Sequence, residues 1–141
     1  MNASTGLLTG ALFLTILSGA ALADTQNQQA GFTAGENGIY RVDAKGQRSL
    51  IVKPKSDELF VDTSLSISPN QSWALINHVP GHPGAGRIEE ARVLISLRNG
   101  TRIEPDAFKK KYGEWLGELA DWADNAPSTI ELENGKKIPL R

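Results

Sequence analysis

The two histidines of the chain, His78 and His82, fall in one stretch with Glu89 and Glu90, and these are residue types that bind metals or move protons. A spacing of four would place both imidazoles on one face of a helix, but Pro80, Gly81 and Pro83 forbid that helix. A mixed loop site with Glu89 or Glu90 stays conceivable, yet two solvated loop histidines are the simpler reading, and no metal is expected. Other chemistry is thinner. Serines are plentiful, but no Gly-x-Ser-x-Gly turn exposes one of them as a nucleophile. Asp57, Glu58 and Asp62 could pair for glycoside hydrolysis, although acids this close together usually mark the end of a loop. The glycines from Gly81 to Gly86 lack the Lys-Ser/Thr ending of a phosphate loop. No catalytic residue and no cofactor is expected.

That stretch, Asn77 to Glu90, joins two segments of strand pattern, and long connections between strands are disproportionately functional. Its prolines reduce the entropy cost of holding a protruding shape, which suits a recognition loop. The candidate partner-binding residues are Asn77, His78, Pro80, His82, Pro83, Arg87, Glu89 and Glu90. Arg87 would pair with acidic groups of a protein partner, the histidines would donate hydrogen bonds, and the prolines would hold the shape. A floppy hairpin tip without a partner is the bland alternative.

The elements that must position this loop are mostly hairpins. Gly38 to Val52 turns at Asp43-Ala44-Lys45-Gly46, Arg92 to Ile103 turns at Arg98-Asn99-Gly100, and Thr129 to Leu140 turns at Glu133-Asn134-Gly135. Asn-Gly accepts the positive φ angles that tight hairpin turns need. A fourth hairpin turns at Ser68-Pro69-Asn70-Gln71, with Leu65, Ile67, Trp73 and Leu75 alternating on either side. Such alternation implies antiparallel sheets. One segment breaks the pattern: Phe108, Tyr112, Trp115, Leu116, Leu119, Trp122 and Ala123 form an apolar stripe of helical spacing. A helix near 106–123 is therefore expected to cover a sheet face, weakened by Gly113 and Gly117. The fold class is α+β, a single β-rich domain over 37–141 preceded by a flexible, polar lead-in at 24–36.

Ahead of that domain, Leu7 to Ala23 is apolar or small and closes with Ala21-Leu22-Ala23, the small-x-small pattern a signal peptidase cuts. Cleavage after Ala23 and a periplasmic or secreted location are expected, with no stable membrane anchor afterwards. The segment before Leu7 lacks Lys and Arg, so an uncleaved anchor is the competing reading. There is no cysteine, hence no disulfide and no thiolate-bound metal. A net charge of −1 argues against a nucleic-acid partner. Lys109-Lys110-Lys111 sits among acids and reads as a solvated helix face.

Two stretches resemble blades of the Tol-Pal-type β-propeller repeat family: Ile39-Tyr40-Arg41-Val42-Asp43-Ala44-Lys45-Gly46 and Ile67-Ser68-Pro69-Asn70-Gln71-Ser72-Trp73-Ala74-Leu75. The resemblance covers roughly 38–103 and implies propeller-like hairpins, while a closed ring of about four or more blades does not fit this length. In size, export and lack of catalytic motifs the chain is also similar to small periplasmic immunity and inhibitor proteins that block cell-wall hydrolases. What this implies is a non-catalytic binding protein whose partner is a peptidoglycan hydrolase or toxin. The alternatives are an envelope-associated structural or interaction module that docks a partner strand on a sheet edge, and a small hydrolase using the loop histidines.

Overall fold

The computed structural model describes residues 27–80 and 90–141. Over these residues it is built from antiparallel sheets with one short helix. The first sheet takes β1 (Asn27–Gln29), β2 (Phe32–Gly35), β3 (Gly38–Val42) and β4 (Arg48–Val52) in chain order. The second takes β5 (Glu58–Ile67), β6 (Trp73–Pro80), β7 (Ala91–Ser96) and β8 (Arg102–Ile103), again in chain order. Helix α1 (Pro105–Tyr112) follows, and β9 (Asp121–Trp122), β10 (Thr129–Glu131) and β11 (Lys137–Pro139) make a third, smaller sheet.

The second sheet is the middle layer, and strand alternation divides its side chains between two cores. Ala74, Ile76, Val93 and Ile95 face the first sheet and pack with Phe32, Ala34, Ile39 and Phe60. Leu75 and Leu94 face the other way and pack with Phe108, Leu116, Ile130 and Leu132. Burial on both faces explains why Val93-Leu94-Ile95 is a continuous apolar run rather than an alternating one. Strand β5 approaches β1 and β2 on one side and β9 on the other, while α1 lies against β7.

All four expected hairpins are present, and their turns close by the chemistry of their residues. The Asp43 carboxylate accepts from the N–H groups of Lys45 and Gln47 at 2.8 and 2.9 Å. Asn99 and Asn134 each accept from the N–H two residues on, at 3.0 Å in both cases. Gly100 is required twice over: its φ is +77°, and a Cβ there would stand 2.6 Å from the Ile51 carbonyl oxygen.

Three expectations are corrected. The lead-in at 24–36 contributes β1 and β2, and Phe32 and Ala34 are buried. Ala30 and Gly31 both adopt positive φ (49° and 84°), closing a hairpin inside a stretch whose polar composition reads as disordered. The helix is shorter than 106–123. It ends at Tyr112 because Gly113 takes the left-handed conformation (φ 79°) and returns its N–H to the Lys109 carbonyl at 2.8 Å. Beyond it Leu116 and Ala120 are buried, but Trp115 and Leu119 of the supposed stripe are 54% and 73% exposed. The chain must straighten here so that Asp121 and Trp122 can pair with Glu131 and Ile130. Finally, Asn77 and His78 do not belong to an irregular loop. They are in β6, paired with Arg92 and Ala91 of β7, and Pro80 ends that strand opposite Glu58. His82, Pro83, Arg87 and Glu89 lie outside the described residues.

Candidate functional site

The polar residues nearest the connection between β6 and β7 form two clusters, one on each face of the middle sheet. Successive strand residues point to opposite faces, so adjacent Asn77 and His78 enter different clusters.

Asn77 enters the first. Between Val61 and Ser66 the register of β5 against β6 shifts, and Ser64 lies in this irregular stretch. Its Oγ accepts from Asn77 N–H at 2.7 Å while its own O–H donates to the Val61 carbonyl at 2.5 Å. The Asn77 side chain then bridges two charges. Its Oδ1 accepts from Arg92 Nη1 at 2.7 Å, and its Nδ2 donates to Glu90 Oε2 at 2.8 Å. Arg92 is only 5% exposed, and its Nε also donates to the Ala120 carbonyl at 2.7 Å. Burial pulls the Arg92 guanidinium below the usual arginine range, and the charges of Asp121 and Glu90 partly offset this. Asp121 is itself held by the Ser66 hydroxyl at 2.5 Å, and the Trp122 indole donates to the Ser66 carbonyl at 3.0 Å.

His78 enters the second. Its Nδ1 lies 3.1 Å from Glu58 Oε2 and its Nε2 lies 3.4 Å from Glu104 Oε1. Arg102 joins the two acids, reaching Glu58 Oε1 at 2.5 Å and Glu104 Oε2 at 2.8 and 2.9 Å. Lys55 lies 3.5 Å from Glu104, and its backbone N–H donates to Glu58 Oε1 at 2.9 Å. Burial pushes the Glu58 carboxyl up, but Arg102, the Lys55 N–H and His78 together bring it below the ordinary value. Glu104 is held down to about 2, first by the approach of His78 and then by Arg102 and Lys55, against the opposing effect of burial. Glu104 is also the N-cap residue of α1, where its side chain makes no capping bond because it is turned toward His78 and Arg102.

The chemistry open to this arrangement is limited. The two carboxylates address opposite nitrogens of the imidazole, so no one point lies between all three groups as a metal would need. Among the described residues, no group of three or more His, Asp or Glu gathers at ligand spacing. The Ser64 hydroxyl donates to a carbonyl rather than to an imidazole, which is not the arrangement of an activated nucleophile. The clusters instead pin strand ends: Arg92 ties β7 to Ala120, and Glu58, Arg102 and Glu104 tie β5 to the β8–α1 junction.

Of the candidate binding residues, the structure brings together Asn77 and Glu90, and sends His78 to the opposite face. Sequence reading missed Arg92, Ser64, Arg102 and Glu104 as their partners. Arg92 did leave a signal, since a lone cation stands second in a mostly apolar strand. Glu104 did not, because an acid before Pro105 reads as a helix start whatever else it does. Among the described residues no helix is long and apolar enough to cross a membrane. Comparison of the chain with protein-family models, with curated proteins and with solved structures gives no match.

Proposed function

We propose that the chain is a non-catalytic periplasmic binding protein, an inhibitor or immunity protein that blocks a cell-wall hydrolase through residues 77–90. One observation carries this reading. Both polar atoms of the Asn77 side chain hold Arg92 and Glu90, and His78 is set beside Glu58 through Nδ1, while its buried Nε2, 3.4 Å from Glu104, makes no hydrogen bond. An enzyme would need some of them available to substrate, whereas a binding protein gains by having the ends of its recognition segment fixed beforehand. The hydrolase alternative uses the loop histidines: His78 is buried between the Arg102-bound carboxylates of Glu58 and Glu104, and His82 lies outside the described residues. The two four-stranded sheets, each built from consecutive antiparallel strands, agree with the hairpins that the propeller-blade resemblance implies.

The test is an inhibition assay on purified peptidoglycan with a panel of muramidases, amidases and endopeptidases. The intact chain should suppress fragment release by one class at near-stoichiometric ratio. A variant carrying a Gly/Ser linker in place of residues 80–86 should not. Inhibition unchanged by the linker, or no inhibition of any class, overturns the proposal.

A further inference from the structure

The exposed apolar side chains at the third sheet have no role in the reading above. After Gly113 ends α1, the chain anchors itself through buried Leu116 and Ala120 and turns outward between them. The Ala120 N–H closes that turn on the Gly117 carbonyl at 3.2 Å, which puts Glu118 and Leu119 at its tip. A leucine 73% exposed at a turn tip is unusual, since tips favour polar residues and glycine. Trp115, 54% exposed, leaves the same short segment, and the Lys109 ammonium lies 6.0 Å from its ring.

The charges around the tip decide what it suits. Lys109, Lys110 and Lys111 are all exposed in the last helical turn. Glu114 is paired with Lys136 at 2.6 Å, and Glu133 Oε1 accepts from the Leu119 N–H at 3.3 Å. The exposed carboxylates of Glu118 and Glu133 remain at the tip, and Asp106 is at the far end of α1. Lys109 behind the Trp115 ring, with Lys110 and Lys111 adding positive charge in the same helical turn, matches an anionic interface: the ring rests at headgroup depth, the leucine enters the acyl boundary, and the basic turn draws phosphates toward it. Two side chains are too small a patch for a stable protein interface, which draws about 800 Å² from each partner. Reversible association with a lipid surface asks for less, because a shallow apolar contact and a few basic residues add together.

We propose that Trp115 and Leu119, backed by Lys109, Lys110 and Lys111, form a peripheral docking site for an anionic lipid surface. The site is independent of residues 77–90 and of any leader segment.

Sedimentation of the chain with vesicles of phosphatidylglycerol and phosphatidylcholine in equal parts tests it. The chain should partition onto these vesicles, should not onto phosphatidylcholine alone, and should release as salt rises toward about 0.5 M. Trp115→Ala and Leu119→Ser should each weaken partitioning by about tenfold, and changing all three lysines to Gln should do the same. Binding should shift the tryptophan emission to the blue, and the shift should vanish in Trp115→Phe although Trp73 and Trp122 remain. Thermal melts of each variant matching the parent chain would exclude misfolding. Absence of vesicle binding, equal binding to uncharged vesicles, or full binding by Trp115→Ala with a quiet spectrum overturns the proposal, including in favour of a protein partner at this tip.

Discussion

Asn77 and Arg92 face each other across β6 and β7, both buried, with the guanidinium donating to the amide oxygen at 2.7 Å. Arg92 thus spends one of its donors on a neutral amide, and that amide passes the interaction on to Glu90. Among the described residues, the arrangement secures a buried cation without an ion pair to a carboxylate directly against it.

Removing the amide should therefore be costly. Asn77→Leu leaves Arg92 buried without this acceptor and should lower stability by about 2–4 kcal/mol in urea unfolding. The double variant Asn77→Leu/Arg92→Met should recover part of the loss, because the stranded charge is gone. A double variant as unstable as the sum of the single changes would show that the two side chains act separately.

The second cluster sets the response to acid. Glu58 and Glu104 both titrate below the ordinary value of 4.5, Glu104 at about 2. Their contribution is complete above the unfolded-state value near 4.5 and disappears as pH falls through the folded-state values, down to about 2 for Glu104. Urea midpoints measured from pH 6 to pH 2 should fall across that window. In Glu58→Gln/Glu104→Gln the midpoint should be lower at pH 6 and should change less on acidification.

Two turn glycines should separate strain from collision. Gly100→Ala combines positive φ with a Cβ 2.6 Å from the Ile51 carbonyl oxygen and should cost about 2–3 kcal/mol. Gly135→Ala has positive φ (+89°) but open space around the new Cβ, and should cost about 1 kcal/mol. Comparison of denaturation midpoints checks the order.

Phe108 and Leu119 belong to the same apolar pattern in the sequence but differ completely in burial. Phe108→Ala should destabilise by about 3–5 kcal/mol. Leu119→Ser should stay within about 0.5 kcal/mol of the parent chain. Equal effects would mean that the turn at 117–120 is packed rather than exposed.

The hairpins were readable because their turns are local: Asp43, Asn99 and Asn134 bond N–H groups two residues on, so a short window carries the whole cause. The apolar stripe runs past the real helix because helical spacing does not reveal that Gly113 turns left-handed, nor that Trp122 is needed opposite Ile130. Phe32 and Ala34 were lost among glutamines and asparagines, although their spacing of two is a strand signal. At the candidate site the residues flanking the connection are legible in the sequence, but their partners lie far off in the chain. Arg92 meets Ala120 and Glu58 meets Arg102, and no periodicity encodes contacts of that separation.

Because Glu104 turns its carboxylate toward His78 and Arg102, the opening coil of α1 begins without the bond a capping side chain would give it. The amides at 106 and 107 should accordingly exchange with deuterium early. Exchange farther along, from Phe108 whose N–H reaches the Glu104 carbonyl at 2.8 Å, should quicken together with the Glu58 end of β5 whenever the carboxylate is neutralised. A helix and a strand distant in the chain would in this way breathe as one unit.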